Sequence, residues 1–339
     1  MNTSTSAADT AALPLSSPGF ASALARRLAW PVFLPLAALV LAASVHRFWP
    51  AAGVPVADPT YERALLLAFG LWSHLAGFTL VSGRLRIRLV ALGPLVAAAV
   101  AAFALWQLVT SKLALLPLPY FPGPDKVFAA LREDRGLLAL SAAHSLRLLA
   151  VGYLAGSLAG FSVGVWFGWN RHVRDWGMPV LKTFGPVPAT AWIPLALVLF
   201  PTTFGASTFI IAIASFFPMV ILTGSGIASV RHSHLEVART LGATSGQLIR
   251  KVAIPSALPT IFVGLFMALS ASFLTLIVAE MIGVKAGLGW YITWAQNWAE
   301  YHKVFAAILI MAVFFSTIMS ALFLVRDRVL RWQQGLIKW

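Results

Sequence analysis

Long apolar runs, separated by short polar stretches, make up most of this chain. They occupy residues 28–45, 64–82, 89–109, 145–168, 183–200, 207–230, 260–282 and 304–325. A helix needs about 20 apolar residues to cross the hydrocarbon core of a bilayer, and each run reaches or approaches that length. The pattern therefore predicts an all-α polytopic membrane protein with eight spans. The run at 183–200 is the most irregular, because Pro186, Pro188 and Pro194 remove backbone donors inside it.

Residues 1–27, rich in Ser, Thr, Ala and Pro, are expected to be a disordered N-terminus. Arg26 and Arg27 precede the first run, and Ala42-Ala43-Ser44 resembles a cleavage site. The run is long for a signal core and a second follows soon, so an uncleaved anchor is expected.

Composition agrees with the pattern. Hydrophobic residues make up 59% of the 339 positions and charged residues 11%, against about 25% charged in soluble domains. The net charge is +14, and its placement matters more than its size. With a cytoplasmic N-terminus and eight crossings, Arg84, Arg86, Arg88, Arg171, Arg174, Arg231, Arg239, Arg250, Lys251, Arg326, Arg328, Arg331 and Lys338 all fall inside. Outer segments mix their basic residues with Asp58, Glu62, Asp125, Glu133, Asp134 and Glu300. This follows the positive-inside rule and places both termini in the cytoplasm. No basic stretch is interleaved with aromatics, so nucleic acid is not an expected partner. With no cysteine there is no disulfide and no thiolate.

The polar loop between the runs at 207–230 and 260–282 has helical punctuation. Ser233 and Glu236 have capping-box spacing, as do Thr244 and Gln247. Gly242 stands where a helix ends in the left-handed conformation, and a second helix is expected to stop before Pro255. Two short helices separated by a glycine predict a rigid knob.

The stretch from Glu236 through Val237, Ala238, Arg239, Thr240 and Leu241 to Gly242, followed by Val252-Ala253-Ile254-Pro255, resembles the "EAA" motif of ABC-importer permeases. Glu236, Ala238, Gly242 and Pro255 match it directly. Ser145-Leu146-Arg147, Phe216-Phe217-Pro218, Ala279-Glu280-Met281 and Gly287-Leu288-Gly289 resemble the nitrate, sulfonate, taurine and bicarbonate branch of that family. The resemblance implies a six-helix permease core at 89–330, with its coupling loop at 231–259. Residues 28–88 would add two transmembrane helices, and 331–339 would form a cytoplasmic tail. It also implies a homodimer in the bacterial inner membrane, a cytoplasmic ATPase dimer using ATP and Mg²⁺, and a periplasmic or lipid-anchored solute-binding protein. The cargo implied is a small anion, with a neutral or aromatic nutrient as the alternative. No G-x-x-x-x-G-K-[ST] phosphate loop occurs in the chain, so ATP hydrolysis is expected on a partner.

Other residues carry two readings each. Gly152, Gly156, Gly160, Gly164 and Gly168 place a smooth stripe on one helix face, for packing within the chain or at a dimer or moving interface. Arg147 either attracts an anion or pairs with a neighbour or lipid phosphate. Glu280 is expected to hydrogen-bond the Gly-rich turn that follows it. Trp290, Trp294 and Trp298 suit a helix at the membrane interface, in contact with lipid. Phe216, Phe217, Ser270, Ser272 and Thr275 are the candidate pathway residues. No metal site and no catalytic cluster is evident, since the His and acidic residues are scattered. An ion-coupled secondary transporter is the competing class, and it would need inverted repeats and intramembrane acids.

Overall fold

The computed structural model describes residues 30–52, 58–78 and 83–333. The expected disordered segment 1–27 and the tail beyond 333 lie outside the described residues. The described residues form α1 (Leu34–Phe48), α2 (Thr60–Phe78), α3 (Gly83–Gln107), α4 (Pro124–Glu133), α5 (Arg135–Trp169), α6 (Arg171–Phe184), α7 (Ile193–Leu199), α8 (Thr203–Ala228), α9 (His232–Thr240), α10 (Ile254–Gly283), α11 (Leu288–Asn297) and α12 (Tyr301–Val329), with no strand among them.

Six stretches are long and apolar enough to cross a membrane: Trp30–Phe48, Arg86–Lys112, Arg135–Trp169, Thr203–Ala228, Ser245–Gly283 and Tyr301–Val329. The run at 64–82 lies mostly in the 19-residue helix α2, whose Glu62, Arg63 and His74 lower its hydropathy below that of the six. The run at 183–200 is not one helix. It holds the last turn of α6, a turn at 185–188, a 3₁₀ turn at Ala189–Trp192 and the short α7. Pro186 and Pro188 explain the break, since neither can donate to a helical ladder.

The chain divides into two compact units, Met1–Ala129 and Ala130–Trp339. The first contains α1, α2 and α3, so the run at 89–109, assigned from sequence to the domain 89–330, groups with the two helices before it. Within this unit the Trp72 indole donates to the Val32 carbonyl at 2.7 Å. The buried Lys112 ammonium donates to the carbonyls of His46 and Trp49 at 2.7 and 2.6 Å. Those bonds satisfy carbonyls at the end of α1 that have no helical partner.

The second unit is built on the contact between α5 and α8. All five glycines of the stripe face α8. A Cβ added at Gly152 would lie 2.7 Å from Ile211, and one at Gly156 would lie 2.1 Å from the Ala212 carbonyl oxygen. At Gly160, Gly164 and Gly168 the nearest atoms would be the Phe216 carbonyl, Thr223 and Ile227, at 2.6, 2.6 and 2.5 Å. No side chain fits at these positions without moving backbone. Partners advance in step along both helices, from Gly152 beside Ile211 to Gly168 beside Ile227, so α5 and α8 run parallel. The shared length is 16 residues, about 24 Å of helix.

Parallel packing has a topological consequence. The chain leaves the far end of α5 and must begin α8 at the near end, so residues 170–202 return across the full length of the pair. The broken segment α6–α7 is that return path. By contrast α10 runs antiparallel to α8, with Gly226 beside Thr260 and Gly264 beside Leu222. Tyr153 on α5 ties the third helix in by donating to the Leu265 carbonyl at 3.1 Å.

The glycine stripe generates a direct prediction. Gly160→Val should cost about 1–3 kcal/mol through overpacking, read as a lower unfolding midpoint in detergent. Gly136→Ala, on the same helix where an added Cβ meets nothing within 4 Å, should leave the midpoint unchanged or slightly raised. Equal midpoints for both variants would contradict the packing described.

Candidate functional site

The loop between α8 and α10 is a structured projection. Helix α9 begins at His232 with Arg231 at the cap position and no side-chain cap. The expected Ser233–Glu236 capping box is therefore not formed: the helix starts two residues earlier than the spacing required, placing Ser233 inside its first turn. Glu236 instead meets His232 Nδ1 at 2.9 Å, one turn back.

The far end of α9 follows the sequence closely. Gly242 has φ +82°, its N–H donates to the Arg239 carbonyl at 2.9 Å, and Ala243 N–H donates to the Ala238 carbonyl at 3.0 Å. This nested pair is a Schellman ending, which needs the left-handed residue between its bonds. Thr244 and Gln247 then close a capping box, the Gln247 carboxamide oxygen accepting from the Thr244 amide at 2.9 Å.

The second helix does not stop before Pro255. It passes through a π-helical turn, Leu248–Ala253, straight into α10, with Pro255 in the first turn of that helix. A proline ring clashes with the carbonyl four residues back, and the wider turn relieves that clash. Leu248, Ala253 and Ala257 are buried, which anchors this stretch. At the tip Val237 and Leu241 are 60% and 83% exposed. Four residues apart, they share one face of α9.

Around the broken segment lies a cavity of about 890 Å³. Its walls come from α6 (Met178, Leu181, Lys182), the break (185–190), α8 (Ile213, Ala214, Phe217, Pro218, Ile221, Leu222) and α10 (Met267, Ala271, Leu274, Thr275, Val278). Irregular backbone at membrane depth is tolerated where it lines a cavity, because its unpaired polar groups need water or a ligand. Among the pathway residues expected from sequence, Phe217 and Thr275 line this cavity. Phe216 is packed edge-on against Phe217. Ser270 donates to the Phe266 carbonyl at 3.0 Å, and Ser272 is fully buried with its hydroxyl unpartnered. Arg147 is exposed and stacks over the Phe204 ring at 5.1 Å, away from the cavity lining. Sequence reasoning missed Lys182 and residues 185–190. The available signal was a lysine directly ahead of three closely spaced prolines in an apolar run.

At the other end of α10, Glu280 is 1% exposed and both its oxygens are engaged. Oε1 accepts from the Ser145 hydroxyl at 2.7 Å and Oε2 from the Gly289 amide at 2.8 Å. Ser145 Oγ also accepts from the Leu288 amide at 2.9 Å. The carboxyl thus fastens the turn at 284–287 to α5, and Gly287, at φ +123°, has room for no side chain beside it. Burial of a carboxyl is tolerable only with such partners.

The turn delivers α11, where Trp290 and Trp294 stack at 6.3 Å and Trp298 is exposed just past the helix end. Tyr291 donates to Asp134 at 2.7 Å, and Lys303 bridges Asp134 and Glu300 at 3.3 and 2.8 Å. Burial pushes the Tyr291 phenol well above its ordinary pKa, and its bond to Asp134 adds to the shift. It therefore remains a donor at neutral pH.

Comparison with known proteins adds to this geometry. Residues 152–332 match the family described as binding-protein-dependent transport system inner membrane component. A protein named as an aliphatic sulfonates transport permease in Bacillus subtilis is 31% identical over 234 residues, covering 68% of this chain and 84% of that relative. A bicarbonate transport system permease of Synechococcus elongatus is 30% identical over 246 residues, with the same coverage. A nitrate import permease of Leptolyngbya laminosa is 32% identical over 185 residues, covering 55% of this chain and 66% of its own. In fold, the chain is similar to a methionine ABC transporter solved in an inward facing conformation. That match has a TM-score of 0.51 and 18% identity, and covers 58% of this chain and 98% of the other.

Ser145→Ala should leave a Glu280 oxygen and the Leu288 amide without a partner, at about 1–3 kcal/mol. Hydrogen exchange at Leu288 and Gly289 should speed up while amides of α8 keep their protection. Unchanged protection at both sites would show that the clasp is not what holds the turn.

Proposed function

The chain belongs to the binding-protein-dependent inner membrane permease family of ABC transporters, and from that premise we propose that it carries a small anionic solute inward and couples to a separate ATPase through residues 233–259. The family's members are multi-pass, non-catalytic subunits. Here an ATPase dimer, using ATP and Mg²⁺, sits on the cytoplasmic side with both termini of the chain. A solute-binding protein delivers cargo from outside, and two copies of the chain form the path between them. Relatives named for sulfonates, bicarbonate and nitrate support an anionic cargo.

The observation that carries the coupling role is the exposed apolar pair Val237 and Leu241 on a helix locked at its C-terminal end. Solvent-facing leucine gains about 1.5–3 kcal/mol on burial, so the tip is suited to a partner's cleft. The lock matters as much as the contact. Ala238, Gly242, Thr244 and Gln247 fix α9 to the turn after it, and Pro255 continues that turn into α10. Glu236 and Ser233 sit on the exposed first turns of α9, available to the ATPase. A push on α9 is then delivered to α10 as rigid-body motion, the way switching transitions generally propagate. An ion-coupled mechanism gains no support, since Glu280 already has both oxygens bonded.

Leu241→Asp should abolish co-purification of the ATPase and solute uptake while leaving the unfolding midpoint within error. Gly242→Ala should keep ATPase association but weaken it and slow uptake, because an alanine at positive φ costs about 1 kcal/mol. Normal ATPase association and uptake in the Leu241→Asp variant would remove the coupling role.

A further inference from the structure

In the first unit, residues 113–122 lead from the end of the Arg86–Lys112 span toward α4. They form a loop whose apolar side chains face outward. Leu113, Leu115, Leu118, Tyr120 and Phe121 are 42 to 67% exposed, and no charged residue occurs between Lys112 and Asp125. Single exposed apolar residues need no explanation, but a contiguous set marks contact with a partner or a membrane.

The backbone of the loop favours the membrane. Hydrocarbon offers no acceptor, so an element that enters it must satisfy its N–H groups within the chain. Pro117, Pro119 and Pro122 carry no N–H at all. The N–H groups of Leu113, Leu115 and Phe121 donate to the carbonyls of Leu108, Val109 and Pro117, at 2.8, 3.0 and 3.3 Å. Side chains pin the loop from beneath. The Trp106 indole donates to the Pro122 carbonyl at 3.0 Å, and the Ser111 hydroxyl donates to Asp125 at 2.8 Å. A protein interface carries a polar rim, and this loop has no charged side chain to supply one.

The end of α1 is a second, independent element of the same surface. Phe48 and Trp49 are exposed there. Lys112, through its bonds to the His46 and Trp49 carbonyls, holds that end beside the end of the span, and the Ala52 amide donates to the Ser111 carbonyl at 3.1 Å. Phe48, Trp49, Tyr120 and Phe121 thus gather at one end of the first unit. Aromatic side chains collect in this way where hydrocarbon meets headgroups.

We infer that residues 113–122 are a lipid-anchoring foot, seated in the bilayer interface at the Lys112 end of α3. The leucines enter the acyl region to about 5–10 Å, the depth of other interfacial apolar elements, while the aromatics stay at headgroup level. The contact is apolar and the adjacent Lys112 is buried, so anionic lipid is not required.

The chain has no cysteine, which makes the inference testable by site-directed fluorescence. Leu115→Cys, Leu118→Cys and Phe121→Cys each carry an NBD label on the purified full chain in phosphatidylcholine nanodiscs. Emission from these positions should be blue-shifted relative to a label at His234→Cys on the exposed α9. Spin-labelled lipid should quench the loop labels more strongly than aqueous iodide, with the reverse order at His234→Cys. Equal or stronger quenching by iodide at the loop would overturn the inference. Quenching by neither agent would also overturn it, because protein would then cover the loop. So would lipid quenching that appears only after phosphatidylglycerol is added. Three labelled positions keep the test standing if one variant fails to fold. The assay contains no ATPase and no cargo, so its outcome is separate from the importer reading.

Discussion

Everything in the second unit follows from the absence of side chains along one face of α5. Five glycines at four-residue intervals let α8 approach until its carbonyl oxygens and β-carbons occupy the space a methyl group would need. Lipid offers no hydrophobic drive for helix association, so close backbone contact must supply the attraction. The contact also fixes direction. Because the partners advance together, the helices are parallel, and the chain between them has to come back across the same distance.

That return segment is where regular structure fails. Prolines at 186 and 188 prevent a continuous helix, and the unwound backbone borders a cavity shared with α8 and α10. The packing that makes the core rigid and the break that makes it hollow are thus consequences of one register. The same register places α8 and α10 side by side and antiparallel, so the loop joining them emerges as a compact projection. Its local bonds make that projection stiff: the nested carbonyl bonds around Gly242, the capping box at Thr244, and the unbroken passage through Pro255 into α10.

Much of this was legible in the sequence, and the failures are physical. Six of the eight apolar runs correspond to helices of spanning length and composition, because burial in lipid leaves a signal in composition alone. The Glu280 clasp was readable from a buried acid next to glycines, and Gly242 from its place after a polar helix. The capping box at Ser233 failed because a two-residue shift of the helix start removes it, and pattern reasoning does not fix starts that finely. Pro255 was expected to end a helix, and a π-helical turn, invisible to residue spacing, carried the helix through. The cavity lining could not be found by seeking polar residues. Ser270 and Ser272 satisfy that criterion yet lie off the cavity, whereas Lys182 and the proline-rich break depend on a tertiary contact between α5 and α8.

The chain has no cysteine, so one can be introduced at a chosen point without background. The most direct measurement places Leu241→Cys at the tip of α9, carrying a photo-crosslinker, in the assembled transporter with its ATPase. The account predicts an adduct to the ATPase from this position, and none from a cysteine at Gly70→Cys in the first unit. An ATPase that is present and active, yet forms no adduct with position 241, would contradict it.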